Sequence, residues 1–377
     1  MNILNQKNKL HVLVTGSNGF IGKNLVIRLR EQSDFIILQY VRNDSLDRLN
    51  ELVEQSDLVV HLAGENRPED ISAFEAVNTT FTEQLCDVIK KQNKEIPVIF
   101  TSSVQAELDN MYGHSKLMAE QAVKQLSNDA GSPVVIYRLS GVFGKWCKPN
   151  YNSVVATFCH NVANDLPIEI HNPDASIKLV YVDDLVSDFI KTMQYMPDGI
   201  NAGEVVPQYT VTVGELARLI ERFKKSRIDL HVDRVGAGLI RALYSTYVSY
   251  LLPDQFVYDV PSYGDERGLF LEILKTEDSG QVSFFTAHPG ITRGGHYHHS
   301  KTEKFLVVKG TARFGFRNVL IDECYEIITS GENLQIVDTV PGWAHDITNI
   351  GDDDMIVLLW ANEVFDRDCP DTITYKV

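Results

Sequence analysis

Tyr112 and Lys116 stand four apart in the run Tyr112-Gly113-His114-Ser115-Lys116, a spacing that on a helix puts both side chains on one face. A ketone that accepts a hydride must also gain a proton on its oxygen. A phenol beside an ammonium can give that proton, because the ammonium and a positively charged nicotinamide stabilise the phenolate. Ser103, nine residues before Tyr112 at the end of the apolar run Val98–Thr101, can hold the carbonyl oxygen by hydrogen bonding. Thr101 and Ser102 are neighbouring hydroxyls able to do the same; Ser103 is taken from its place at the strand end. The bland alternative for Tyr112 is a structural tyrosine on an amphipathic helix.

A hydride needs a carrier. The segment Val14-Thr15-Gly16-Ser17-Asn18-Gly19-Phe20-Ile21-Gly22 follows a first apolar strand and opens a helix. Glycines there allow a tight turn and close approach of backbone to a pyrophosphate, and a helix N-terminus offers N–H donors and partial positive charge. Gly16, Asn18, Gly19, Phe20, Ile21 and Gly22 are therefore candidate cofactor contacts. The Gly-x-x-Gly-x-x-Gly spacing resembles the extended short-chain dehydrogenase/reductase family, which implies a Rossmann-type sheet. The second strand ends in Gln39-Tyr40-Val41-Arg42, without the acid that usually receives the ribose hydroxyls of NAD. Arg42 suits the 2′-phosphate of NADPH, and Asp44 nearby argues the other way. Leu62, Ala63 and Gly64, in His61-Leu62-Ala63-Gly64, resemble the family's loop beside the adenine ribose, and Asn78 its helix asparagine. Arg138, a candidate substrate contact, opens a post-strand segment that resembles the family's, Arg138-Leu139-Ser140-Gly141-Val142-Phe143-Gly144, in which Ser140-Gly141 replaces the relatives' Pro-Asn. Lys145, Lys148 and Asn152 follow with two aromatics, a mixture suited to a nucleotide-sugar diphosphate or simply to a polar loop. Tyr181-Val182-Asp183-Asp184 resembles the family's opening of a substrate-domain helix, with Asp183 a possible cap.

A second cluster lies far along the chain. The run Gly290-x5-His296-x-His298-x4-Glu303-x6-Gly310 reproduces the first cupin motif, and Gly342-x2-His345-x3-Asn349 resembles the second, with Pro341 shifted to precede the glycine directly. Residues i and i+2 of a strand share a face, so His296 and His298 point the same way. With Glu303 and His345 from neighbouring strands, three imidazoles and a carboxylate suit Zn²⁺, or Fe, Mn or Ni, with positions open for a substrate oxygen. Asp265–Glu272 and Arg293-Gly294-Gly295-His296 resemble keto-sugar epimerases of deoxyhexose synthesis, which adds Arg267, Glu272 and Arg293 as candidate substrate contacts. In those enzymes the counterpart of His296 is the proton-abstracting base. His299, Lys304 and Tyr325 are the other candidates for that role.

The elements that must position these groups follow from the pattern. Leu10–Val14, Phe35–Val41, Leu58–Leu62, Val98–Thr101 and Val134–Tyr137 read as short buried strands alternating with amphipathic helices, hence a doubly wound parallel sheet. A late helix opens at Thr212, with Glu215 completing a capping box. After about Pro253, short alternating strands separated by glycines imply an all-β cupin (double-stranded β-helix or jelly-roll) domain. The expected division is residues 1–247, a reductase domain, and 253–377, a metal-binding cupin domain. The chain has 377 residues and a net charge of −16. Such a surface repels phosphate backbones, so nucleic acid is excluded as a partner. Five cysteines without a Cys-x-x-Cys pair, a polar start and no long apolar run lead to the expectation of a cytoplasmic protein without membrane spans.

Reductase followed by cupin, with Phe143-Gly-Lys-Trp-Cys-Lys-Pro-Asn-Tyr-Asn-Ser153, resembles the bifunctional capsule and O-antigen enzymes of the UDP-N-acetyl-L-fucosamine pathway across nearly the whole chain. The resemblance implies a homodimer acting on UDP-2-acetamido-2,6-dideoxy-hexos-4-ulose. The cupin would epimerise C-3, and the reductase would reduce C-4 with NADPH to the UDP-L-talose derivative. Two other readings stay open. In one the reductase is the sole enzyme and the cupin binds sugar or dimerises the chain; in the other the first domain retains NAD and is an epimerase or dehydratase.

Overall fold

The computed structural model describes residues 9–260, 262–265, 268–271, 274–276, 280–363 and 368–377. It divides into two compact units. One comprises the chain up to Val142 with Lys178–Tyr209; the other comprises Phe143–Ile177 with Thr210–Val377.

In the first unit, β1 (Leu10–Thr15), β2 (Phe35–Tyr40), β3 (Leu58–His61), β4 (Val98–Ser103), β5 (Val134–Leu139) and β6 (Ile200–Gly203) form one parallel sheet in the order β2-β1-β3-β4-β5-β6. Every residue of β3 and β4 is buried. Strands covered on both faces need such continuous apolar runs, which is why these segments read without alternation. Helices α1 (Phe20–Arg30), α2 (Leu46–Gln55), α3 (Phe81–Lys91) and α4 (Met111–Ala130) make the crossovers. The α2–α4 face closes over Leu13, Val59, Val98 and Phe100, with Leu85, Ile89, Val123 and Leu126 supplied from the helices. The strand order reverses at β1, which has β2 on one side and β3 on the other. Ligands of open parallel sheets sit beyond the carboxyl ends of strands at such a switch point. The five strands expected from the sequence are all present; β6 is an addition, too short and too exposed to carry a hydrophobic signal.

The second unit joins three helices to an all-β domain. Helices α5 (Val154–Ala163), α7 (Val213–Asp229) and α8 (Gly238–Val248) pack on one another; α6 (Val182–Gln194) belongs to the first unit. Thr212 caps α7 as expected, accepting from the Glu215 N–H at 3.1 Å. Tyr181, not Asp183, holds the cap position of α6; Asp183 lies within the first turn, where its charge faces the positive helix end. The strands are β7 (Val257–Asp259), β8 (Gln281–Ala287), β9 (Thr292–Tyr297), β10 (Glu303–Lys309), β11 (Thr311–Asn318), β12 (Cys324–Ser330), β13 (Gln335–Asp338), β14 (Trp343–Asn349), β15 (Met355–Ala361) and β16 (Ile373–Thr374). They make two antiparallel five-stranded sheets, β7-β13-β10-β15-β8 and β12-β11-β14-β9-β16. The sheets meet through aromatic rings: Phe305 of β10 lies 5.7 Å from Phe314 of β11, and Phe256 lies 5.2 Å from Trp343 of β14. This is the expected fold class, a Rossmann-type unit followed by a cupin.

The expected boundary between 247 and 253 cuts through the second unit. The reason is buried polar bonding that sequence periodicity does not record. Ser245 of α8 donates to the Ser300 carbonyl at 2.5 Å, and Arg227 of α7 pairs with Asp338. No helix among the described residues is long and apolar enough to cross a membrane.

Candidate functional site

The glycine turn follows β1 directly. Gly16 has φ +66°, and a Cβ there would come within 2.7 Å of the Ala63 nitrogen; a Cβ on Gly22 would come within 2.3 Å of the Gly16 carbonyl. Only glycine allows this packing of turn, helix and following loop. The first turn of α1 has neither a side-chain cap nor an acidic residue, and the Ser17 hydroxyl is buried without a partner among the described residues. Free N–H groups at a helix start beside an unsatisfied hydroxyl fit a pyrophosphate. The Leu62-Ala63-Gly64 loop leaves β3 on the other side of the switch point. Asn78, in a π-helical turn (Phe74–Thr80), accepts from the Glu65 N–H at 2.8 Å and donates to the Glu65 carbonyl and the Ser115 hydroxyl, both at 2.9 Å. It therefore ties the post-β3 loop to α4. Asp44 accepts from the Val41 N–H at 2.8 Å. The exposed Arg42 guanidinium lies 2.6 Å from the Glu65 carboxylate.

Helix α4 carries Tyr112 and Lys116. Asn110 caps it by accepting from the Gly113 N–H at 2.8 Å, which fixes Tyr112 in the first turn. A Cβ on Gly113 would lie 2.2 Å from the Gln105 carbonyl, so the helix start can pass the 3₁₀ turn Val104–Glu107 only as glycine. Burial pushes the Tyr112 phenol up, while a hydrogen bond with the Ser103 side chain draws it down. Burial presses the Lys116 ammonium down to about 8, partly offset by Glu120. Its Nζ stands 4.8 Å from the Phe100 ring centre. Ser102, the competing hydroxyl, donates to Glu120 at 2.6 Å and is committed there. Thr101 donates to the His61 carbonyl at 3.2 Å. Ser103 thus holds the hydroxyl that meets Tyr112.

The proposed sugar contacts fare differently. Arg138 is engaged by carboxylates: its Nε and Nη2 each lie 2.8 Å from Glu120, and its Nη1 lies 2.6 Å from Glu107. Its presence is explained by the buried Glu120 rather than by a ligand. Lys145, Lys148 and Asn152 belong to the second unit. Lys145 is buried with its Nζ 5.3 Å from the Trp146 ring, Lys148 lies 5.2 Å from Tyr151, and Asn152 is exposed. Arg267 and Glu272 lie outside the described residues; Arg293 stacks at 5.3 Å on Phe285.

In the second unit, ligand atoms of His296, His298, Glu303 and His345 all lie within 4.8 Å of one another. His296 and His345 face each other across β9 and β14, His298 follows β9, and Glu303 opens β10 in the other sheet. A bulge between Gly294 and His296, with φ +97° at Gly294 and +74° at Gly295, turns β9 so that both histidines face inward. Burial and the two neighbouring imidazoles hold His296 down to about 3, and burial lowers His345. Burial would raise Glu303, but the His298 and His345 side chains keep it well below the usual carboxylate range. His298 Nδ1–H donates to the Asp371 carbonyl, so a neutral His298 presents the Nε2 lone pair to Glu303 Oε2 at 3.2 Å. Two acceptors at that distance need a cation between them, either a proton or a metal. His345 Nε2 is 3.4 Å from the same oxygen without hydrogen-bond geometry, and both its ring nitrogens lack partners among the described residues. Three imidazoles around one carboxylate fit Zn²⁺. Among the other candidate bases, Lys304 points to the opposite strand face, bonded at 2.7 Å to Asp338 and at 2.9 Å to Tyr258.

Comparison with known proteins bears on both units. Residues 12–206 match the NAD dependent epimerase/dehydratase family, and residues 263–373 match the polysaccharide biosynthesis C-terminal domain. A relative from Pseudomonas aeruginosa, UDP-2-acetamido-2,6-beta-L-arabino-hexul-4-ose reductase, is 55% identical over 98% of this chain and 99% of its own. The chain belongs to the NAD dependent epimerase/dehydratase family. The crystal structure of capsular polysaccharide assembling protein CapF from Staphylococcus aureus is 39% identical, with a TM-score of 0.66, covering 98% of this chain and 100% of that one. UDP-glucose 4-epimerase of Vibrio cholerae is 27% identical over 55% of this chain and 74% of its own. Within this family member, the groups missed by reading the sequence are Glu120, Gly113 and Asp371. Each acts through a partner distant in sequence or through a backbone clearance, and neither leaves a motif.

Proposed function

We propose that the chain is an NADPH-dependent reductase of a UDP-4-keto-6-deoxy-N-acetylhexosamine whose cupin domain also epimerises C-3, yielding UDP-2-acetamido-2,6-dideoxy-L-talose for capsule or O-antigen synthesis. The functional halves would be residues 1–247 and 253–377, with 210–247 packed in the same compact unit as the cupin strands, in a cytoplasmic homodimer. The observation that supports reduction most is the meeting of Tyr112 and Ser103, with the depressed Lys116 one turn along the same helix. The full-length likeness to a relative named as a hexul-4-ose reductase supports the substrate class.

In this reading Ser103 holds the C-4 oxygen and Tyr112 gives it a proton. Lys116, buried and cationic, lowers the cost of the phenolate that results. The bound nicotinamide supplies the hydride. At the second site, a C-4 ketone acidifies the C-3 hydrogen, which leaves as a proton and returns on the opposite face. A bound cation would be held by His296, His298, Glu303 and His345 and would supply positive charge toward the oxygen that becomes anionic. With His296 counted among the ligands, the base is His299 or Tyr325. Lys304 is set aside because its ammonium is taken up by Asp338 and Tyr258. Reduction removes the ketone, so epimerisation comes first.

Tyr112→Phe tests the division of labour. It should abolish NADPH oxidation while C-3 deuterium exchange persists in the folded variant. Loss of both would mean that one site carries out both steps.

A further inference from the structure

The segment 368–377 returns to the rim of the histidine cluster. Ile373 and Thr374 pair with Tyr297 and His296, extending the sheet beyond β9, and the Tyr375 N–H donates to the Gly295 carbonyl at 2.9 Å. Immediately before this pairing, Asp371 makes two kinds of bond. Its main-chain carbonyl accepts from His298 Nδ1–H. Its carboxylate accepts from the His299 N–H at 2.8 Å, the Ser300 N–H at 2.7 Å, the Ser300 hydroxyl at 3.0 Å and the Lys301 N–H at 2.8 Å. These donors form the turn between His298 and Glu303. From that turn the Lys301 ammonium reaches Glu303 Oε1 at 2.7 Å, leaving Oε2 to face His298 and His345. One residue thereby fixes which nitrogen of His298 is free and which oxygen of Glu303 faces it.

We propose that Asp371 is a positioning residue for the cation site, setting the His298 tautomer through its carbonyl and the Lys301–Glu303 geometry through its carboxylate. The inference rests on the reading of the four residues as a metal site. Outer-shell groups of this kind orient ligands, and their loss weakens metal affinity by about 10–100-fold. The carbonyl itself cannot be substituted, but the carboxylate ties its own residue to the turn and so helps to hold the carbonyl against His298.

The experiment compares full-length wild type, Asp371→Ala and Asp371→Asn, the last keeping the shape but losing the charge. Zn²⁺ affinity is measured by competition with a chromogenic chelator. The histidine tautomers of the metal-free protein are read by ¹⁵N NMR. Both variants should bind Zn²⁺ about 10–100-fold more weakly; wild type should show a single Nδ1–H tautomer of His298, and Asp371→Ala should lose it. Wild type that binds Zn²⁺, with both variants within twofold of it and an unchanged His298 tautomer, overturns the proposal alone. Wild type that binds no Zn²⁺ overturns the metal reading beneath it. If Asp371→Ala does not fold, Asp371→Asn decides on the same affinity scale.

Discussion

Arg42 Nη2 stands 2.6 Å from Glu65 Oε2, a pair in which the arginine is largely exposed and the glutamate is not. The arginine at the end of β2 is thus restrained by a carboxylate on the loop after β3. A 2′-phosphate in this place would compete with Glu65 for the same guanidinium. Arg42→Ala should weaken NADPH binding by about 1.5–3 kcal/mol and leave NADH nearly unchanged. Glu65→Gln should act in the opposite direction and tighten NADPH severalfold. Equal effects on both cofactors, measured by fluorescence titration, would refute the assignment.

Lys116 yields a pH-dependent prediction. Its ammonium is depressed from 10.5 to about 8 by burial, so in the folded state it binds its proton less tightly than in the unfolded chain. The charge therefore destabilises the fold fully below pH 8, and the penalty fades between pH 8 and 10.5. Lys116→Met should stabilise the cofactor-free protein by about 1–3 kcal/mol at pH 7, with the gain shrinking as pH rises toward 10. Reduction should be lost. A lower melting temperature at pH 7 would show that the ammonium contributes to the fold rather than costing it.

Removing a histidine from the quartet should separate metal from hydride chemistry. His298→Ala or His345→Ala should lose bound Zn²⁺, lower the melting temperature of the second unit and abolish C-3 exchange. NADPH oxidation with a ketone that needs no epimerisation should survive. Elemental analysis gives the first reading; metal far below one equivalent in wild type, with full activity in a chelator, would return His296 to the role of base.

The sequence made some relationships legible because they are local. The spacing of four from Tyr112 to Lys116 dictates a shared helix face, and apolar runs without alternation dictate a buried parallel sheet. The spacing of His296, His298 and Glu303 along adjoining strands likewise left few ways to place them apart. Other relationships depend on partners that no period encodes. Arg138 stands among the candidate substrate contacts in the sequence, yet Glu120, on α4, has taken it up. Lys304 follows Glu303 in the chain but leaves the opposite side of the strand. Asp371 lies about seventy residues from the turn it holds, and α7 and α8 join the β-rich unit through buried pairs such as Arg227 with Asp338.

The central claim, epimerisation followed by reduction on one chain, is tested most directly by incubating the protein with UDP-2-acetamido-2,6-dideoxy-hexos-4-ulose in D₂O and following the sugar by NMR. Without NADPH, deuterium should enter C-3 while the C-4 ketone persists. With NADPH, one equivalent should be oxidised for each sugar, leaving a C-4 alcohol of inverted C-3 configuration. Reduction without deuterium at C-3 would reduce the cupin to a binding module, and a ketone untouched by NADPH would contradict the account as a whole.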